Sequence, residues 1–149
     1  MKLQKGTLLA LASVIEIAGN PERPLSAGEI AQKYGASTHH LSKVLRELGR
    51  AGIVDSARGV GGGYRFVANA KRCTLMDIIE LFEAIGGAGH DLPEGATHVE
   101  RALSTVLAEI DENTRATFRS ITVETLLKLI LFQQRTKEGT EQVAMEEQR

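Results

Sequence analysis

One cysteine, no tryptophan and three prolines mark this 149-residue chain, and each scarcity removes a class of explanation. The single thiol, Cys73, excludes an internal disulfide and any cysteine-based metal site of ordinary density. A lone cysteine is more often a small buried hydrophobe than a reactive group. Aromatic residues make up only 4% of the chain, yet a hydrophobic fraction of 42% is enough for a core. No apolar run reaches the ~18 residues that a membrane span requires, so no membrane partner is expected. The opening MKLQKGTLLALASVIEIAGNPERP has a charge followed by apolar residues, as a secretion signal has. Glu16 interrupts that run and no small-residue cleavage site follows, so it reads as an amphipathic helix of a cytoplasmic protein. Also missing are a Ser-His-Asp order, a paired-carboxylate pocket and a cofactor fingerprint, so neither an enzyme nor a cofactor is expected.

A net charge of −1 conceals an asymmetry. Residues 1–72 hold 11 Lys/Arg against 5 Asp/Glu, a net +6, whereas residues 73–149 hold 7 against 14, a net −7. A basic half suits a polyanion, and the acidic half then faces elsewhere.

Periodicity orders the chain. Residues 7–18 place Leu8, Leu11 and Ile15 on one helical face with Leu9 and Ala12 alongside, and GNPERP ends that helix. Ser26 and Glu29 form a capping box for a short helix with Ile30, Ala31 and Tyr34 inward, stopped by Gly35. Ser37 caps a second helix, whose Leu41, Val44, Leu45 and Leu48 recur at helical spacing until GRAG ends it near Gly52. Two short helices joined by a tight glycine-containing turn make a helix-turn-helix. IVDSA then reads as a strand, RGVGGG as a turn and YRFVA as the returning strand, with Tyr64 and Phe66 on one face and Arg65 on the other. Thr74 starts a helix over TLMDIIELFEAI with Leu75, Ile78, Ile79 and Phe82 inward. After a loop, a long helix runs from about His98 to Arg119, and its Val99, Leu103, Val106 and Ile110 follow the spacing of a helix–helix seam, read as a dimer interface. Thr122 caps a last helix with Leu126, Leu127 and Ile130, followed by a polar, frayed tail.

The glycines of RGVGGGYRF decide the chemistry. A nucleotide loop needs a Lys-Ser/Thr after its last glycine or a helix behind it, and here a strand pattern follows. A helix-turn-helix followed directly by a two-stranded hairpin is a winged helix. Its second helix enters the major groove, while the wing tip lies over the neighbouring minor groove. Ser37, Thr38, His39 and Ser42 then face base edges, and Lys43 and Arg46 neutralise phosphates. Arg58 reaches the minor groove, Gly59, Gly61 and Gly62 let the backbone approach, and Tyr64 either packs the wing or bonds a phosphate. His39 and His40 lie about 100° apart on a helix, so they do not share one metal ion. His40 packs or touches a phosphate.

The run LSAGEIAQKYGASTHHLSKVLRELGRAGIVDSARGVGGGYRFVANAKRCTLMDIIELFEAI resembles the Rrf2 family of transcriptional regulators, which includes iron–sulfur, nitric-oxide and cysteine-metabolism repressors. MKLQKG at the start and SITVETLLKLI near the end extend the likeness over nearly the whole chain. The resemblance implies a homodimer with crossing C-terminal helices, reading a palindromic double-stranded operator as a repressor. The expected fold is mainly α with a small β-wing. Residues 1–85 form the winged helix-turn-helix domain, 86–97 a loop, 98–134 the dimerisation helices and 135–149 a polar tail.

The chain departs from its relatives at that loop. Cluster-bearing members usually carry three cysteines there, where this chain has GGAGHDLPEGATHVERAL and none. Some relatives also use an acidic ligand early in the first helix, where Leu8 and Leu9 stand here. The loop offers His90, Asp91, Glu94, His98 and Glu100 without tight ligand spacing. A cluster-free regulator is expected, controlled by a partner protein or a small-molecule effector. The alternative is a direct metal or redox sensor that uses His90, His98 and neighbouring carboxylates, or Cys73.

Overall fold

The computed structural model describes residues 2–86 and 91–147, with side chains through residue 145. Among the described residues six helices and one hairpin follow the order α1 (Lys5–Ala18), α2 (Ala27–Tyr34), α3 (Thr38–Arg50), β1 (Val54–Ala57), β2 (Gly63–Phe66), α4 (Leu75–Ile79), α5 (His98–Ser120) and α6 (Val123–Glu147). None of the described helices is long and apolar enough to cross a membrane.

α1 lies at the centre, against α2, α3 and β2 and also against α4 and α6. Close approach from several sides selects small residues, so Thr7, Ala10, Ser13, Val14 and Ile17 are buried. The face of Leu8, Leu11 and Ile15 is therefore the rim: Leu8 is 53% exposed, and Leu11 and Ile15 are only partly covered. Almost every residue from 8 to 18 is apolar or small, so periodicity alone could not orient this helix.

α2 begins with the Ser26–Glu29 capping box and ends at Gly35, whose φ of 62° is the left-handed cap. Tyr34 is exposed rather than inward, because its hydroxyl donates to Glu16 Oε1 of α1 at 2.5 Å. Lys33 Nζ lies 2.7 Å from the same oxygen. Burial raises the Glu16 pKa, but hydrogen bonds from Lys33 and Tyr34 outweigh it and hold the carboxyl below its usual range. Burial and the Glu16 charge push the Tyr34 hydroxyl up to about 12.

β1 and β2 pair antiparallel, with Val54 opposite Phe66 and Ala57 opposite Gly63. Leu25, just before α2, adds a third edge: its N–H donates to Tyr64 O at 3.1 Å, and Tyr64 N–H donates to Leu25 O at 2.7 Å. α4 is capped by Thr74 and Asp77 but ends at Ile79, short of the expected Ile85. The chain leaves the helix so that Ile85 can fold back onto a second small core with Leu75, Met76 and Ile79. The main core gathers α1, α2, α3 and the wing around Leu41, Leu45, Leu48 and Ile78.

A backbone clasp joins the wing's exit to the C-terminal helices. Leu75 N–H donates to Ile121 O at 2.9 Å, Val123 N–H to Cys73 O at 2.9 Å and Glu124 N–H to Ala70 O at 3.0 Å. α6 then continues to Glu147 through the stretch expected to be a frayed tail. Gln, Arg, Lys, Glu, Ala and Met there all favour helix without needing a buried face.

Among the described residues one buried side-chain group stands unsatisfied. Thr7 is fully buried and its Oγ1 has no hydrogen-bond partner, whereas Ser13 Oγ donates to Leu9 O at 2.7 Å. Replacing an orphaned hydroxyl by a methyl of equal shape removes a desolvation cost. Thr7→Val should raise the unfolding free energy by about 1 kcal/mol in a urea titration. A loss of stability would show that the hydroxyl has a partner.

Candidate nucleic-acid interface

Ser37 starts α3 by accepting a hydrogen bond from His40 N–H at 3.1 Å on its Oγ. Upstream, Ala36 N–H bonds Ala31 O at 2.9 Å, which locks the turn between α2 and α3. Leu41, Val44, Leu45 and Leu48 bury one face of α3. The opposite face therefore points out: Ser37, Thr38, His39, Lys43 and Arg46 are exposed and Ser42 is half-buried. Lys43 and Arg46 have no ion-pair partner among the described residues, whereas Arg50 is tied to Glu47 at 2.8 Å. The His40 ring turns away toward α1, where a Cβ on Gly6 would lie 3.9 Å from its Cε1 and Nε2.

The wing tip spans residues 58–62. Arg58 is exposed and has no ion pair among the described residues, and Val60 beside it is fully exposed. The glycines divide into two kinds. Gly59 and Gly61 have φ of 101° and 75° and open space around them. A Cβ on Gly62 would sit 2.5 Å from Ala57 O and 2.9 Å from Gly59 O. One on Gly63 would sit 2.5 Å from the carbonyl carbon and oxygen of Leu25. Gly62 and Gly63 are thus required by the wing itself, whatever the wing faces. Tyr64 is half-buried against the main core, and its backbone holds Leu25. Arg65, on the outer face, donates from Nη1 to Pro21 O at 3.3 Å.

Sequence reasoning passed over Leu25, Val60, Lys71 and Arg72. Lys71 and Arg72 are exposed directly after the wing and have no ion pair among the described residues. The basic AKRC run was the available signal for those two. For Leu25 it was the position of one residue between a proline and a capping box.

The seam residues Val99, Leu103, Val106 and Ile110 of α5 are 53–68% exposed, and Ser104 is the buried residue of this helix. His98 is the exposed first residue of α5. Glu100 accepts from Thr97 N–H at 2.7 Å and from its hydroxyl at 2.9 Å. Those bonds hold its carboxyl below the usual range and occupy it as a helix cap. His90 lies outside the described residues. Among the described residues no group of three or more His, Cys, Asp and Glu side chains is placed to hold a metal ion. Cys73 is 7% exposed in the main core, and burial, with the Asp77 charge, pushes its thiol up to about 11.

A helix with an outward polar face beside a glycine-tipped hairpin defines the class: this is a winged helix-turn-helix, DNA-binding transcription regulator. The chain belongs to the Rrf2 family, whose model, described as an iron-dependent transcriptional regulator, matches residues 3–129. It is 52% identical over 141 residues to the putative HTH-type transcriptional regulator BadM of Rhodopseudomonas palustris, covering 93% of this chain and 88% of that one. Among solved structures it is similar to CymR (YrzC), the global cysteine regulator of B. subtilis. That likeness has a TM-score of 0.73 and 29% identity, covering 87% of this chain and 98% of that one. IscR of T. potens shares the fold at a TM-score of 0.70, with 24% identity over 86% of this chain and 87% of that one. The iron in the family's description finds a poor donor set here. An iron–sulfur cluster needs soft thiolates, and the chain's one thiol, Cys73, is buried in the main core.

The division among the glycines is measurable. Gly63→Ala should lower the unfolding free energy by about 1–3 kcal/mol, because backbone must move to admit the methyl. Gly61→Asn, at a left-handed position with free space, should cost less than about 1 kcal/mol. Equal costs in thermal unfolding would contradict the close approach of Leu25.

Proposed function

We propose that this regulator acts as a homodimeric repressor that reads a palindromic operator without an iron–sulfur cluster. The observation that carries the reading is two cationic surfaces without ion pairs among the described residues, Lys43 and Arg46 on α3 and Arg58 on the wing, set on one frame by the Leu25–Tyr64 bridge. In this reading Ser37, Thr38, His39 and Ser42 meet base edges in the major groove, and Lys43 and Arg46 bind phosphates. Arg58 enters the adjacent minor groove, where narrowing concentrates negative potential. Gly59 and Gly61 shape the tip for that approach, while Gly62 and Tyr64 hold the wing's own structure.

Dimerisation is supported by the seam of Val99, Leu103, Val106 and Ile110, which the single chain leaves in water. A second copy crossing at α5 covers it, and the clasp at residues 70–75 passes the dimer's geometry to the wing. Two winged helices so placed present two half-sites. Absence of a cluster is supported by the burial of Cys73 and by the use of Glu100 as a cap. A cytoplasmic location accompanies this function.

Binding to an operator selected from random DNA tests the reading. Arg58→Ala should weaken binding by about 1–3 kcal/mol and still sediment as a dimer. Lys43→Ala should reduce the slope of log affinity against log salt by about one. Unchanged affinity in Arg58→Ala at fixed salt contradicts the wing assignment, and a monomeric wild-type chain contradicts the seam.

A further inference from the structure

Val60 stands at the apex of the wing, fully in water, and is the most exposed large apolar side chain among the described residues. The turn that carries it is closed by a hydrogen bond from Gly62 N–H to Gly59 O at 3.0 Å. Gly61 has a φ of 75° and Val60 is not among the positive-φ residues, so this is a type II turn with Val60 at its second position. That position commonly holds proline, whose ring pre-sets φ. A β-branched apolar side chain brings the turn no such gain. Single exposed apolar residues are common on proteins, but this one is rigidly mounted.

The mount is backbone. Gly62 is hemmed in by the carbonyls of Ala57 and Gly59, and Gly63 by Leu25, whereas Gly59 and Gly61 have nothing within 4 Å of their Cβ positions. Valine is also stiff at χ1. Val60 is therefore a blunt apolar head that loses little freedom when it meets a surface. Its neighbour Arg58 carries donors only, and the other tip residues are glycines. The side chains of residues 58–62 thus hold no hydrogen-bond acceptor.

That lack matters in a minor groove. An A·T pair shows only acceptors there, whereas a G·C pair adds the guanine amino donor. Arg58 suits the acceptors. A guanine amino group beneath Val60 would lose its water and find no side-chain acceptor, an uncompensated desolvation. We propose that Val60 is a specificity-determining residue: it packs on the minor-groove floor and rejects a guanine amino group, so that A·T pairs are required under the tip. The role rests on the reading of the wing as the minor-groove element and adds a second kind of readout to it. Arg58 responds to groove width and potential, while Val60 responds to the amino group itself.

Hydroxyl-radical protection of a selected operator by the full chain locates the pairs under the tip. Replacing adenine there by 2,6-diaminopurine adds the minor-groove amino group and leaves the major-groove edge unchanged. Replacing A·T by inosine·C changes the major-groove edge and adds no amino group. The wild-type chain should bind the diaminopurine and G·C operators about tenfold more weakly per pair, and the inosine·C operator within about twofold of A·T. Val60→Ser, at a fully exposed position, should unfold at the wild-type temperature. Its shorter side chain supplies an acceptor, so the diaminopurine penalty should fall to about threefold or less. Arg58→Ala should bind every operator more weakly and keep that penalty. A penalty that persists in Val60→Ser overturns the proposal, as does one that vanishes in Arg58→Ala, where groove width read by the arginine explains it. G·C pairs under the tip of the selected operator, or equal wild-type binding to adenine and diaminopurine, overturn it too. Each of these failures leaves the wing reading standing as long as Arg58→Ala weakens binding. Absence of any minor-groove protection overturns both.

Discussion

Two backbone hydrogen bonds, between Leu25 and Tyr64, tie the wing to the entry of the helix-turn-helix. The hairpin would not hold its place by itself, since a two-stranded ribbon is marginal in water. The bridge makes Leu25 a third edge and brings its carbonyl so close to Gly63 that no side chain fits there. The half-burial of Tyr64 against the main core goes with this contact. A wing that swung freely would pay ordering entropy at each encounter with DNA, and a braced one has already paid it.

The C-terminal half is attached by an equally local device. Residues 70–75 and 121–124 exchange three backbone hydrogen bonds at the joint between α5 and α6. Cys73 sits within this joint as a packed hydrophobe, and its burial, with the Asp77 charge, pushes the thiol up to about 11. The α5 end thus connects to the DNA-facing half through main chain as well as through the second core, where Phe118, Ile121 and Leu126 pack against Leu75, Met76 and Ile79.

Much of the DNA-facing half was legible because local chemistry and tertiary demand agree there. The Ser26–Glu29 box, the Ser37 cap and the Leu41-Val44-Leu45-Leu48 face each specify an element that the structure contains. α1 was legible as a helix but not in orientation, since its inside is chosen by how closely neighbours approach Ala10 and Ser13. Gly62 and Gly63 were legible as a turn, but their reason lies 38 residues upstream in the case of Leu25 and Gly63, a contact no local pattern announces. Ile85, which bends the chain out of α4, is a similar long-range demand. The α5 start was visible at His98, while the Thr97–Glu100 box that sets it was overlooked, although its residues are a standard capping pair.

The central claim is that α3 and the wing tip form one DNA-reading surface, with position 58 over the minor groove. An iron chelate attached at Arg58→Cys tests it most directly, since Cys73 is buried and the new thiol is labelled selectively. On a selected operator the tethered reagent should cut both strands at two symmetric positions flanking the centre, with the 3′ stagger of minor-groove attack. Uniform cutting, no cutting, or a 5′ stagger that places the reagent in the major groove would contradict the account.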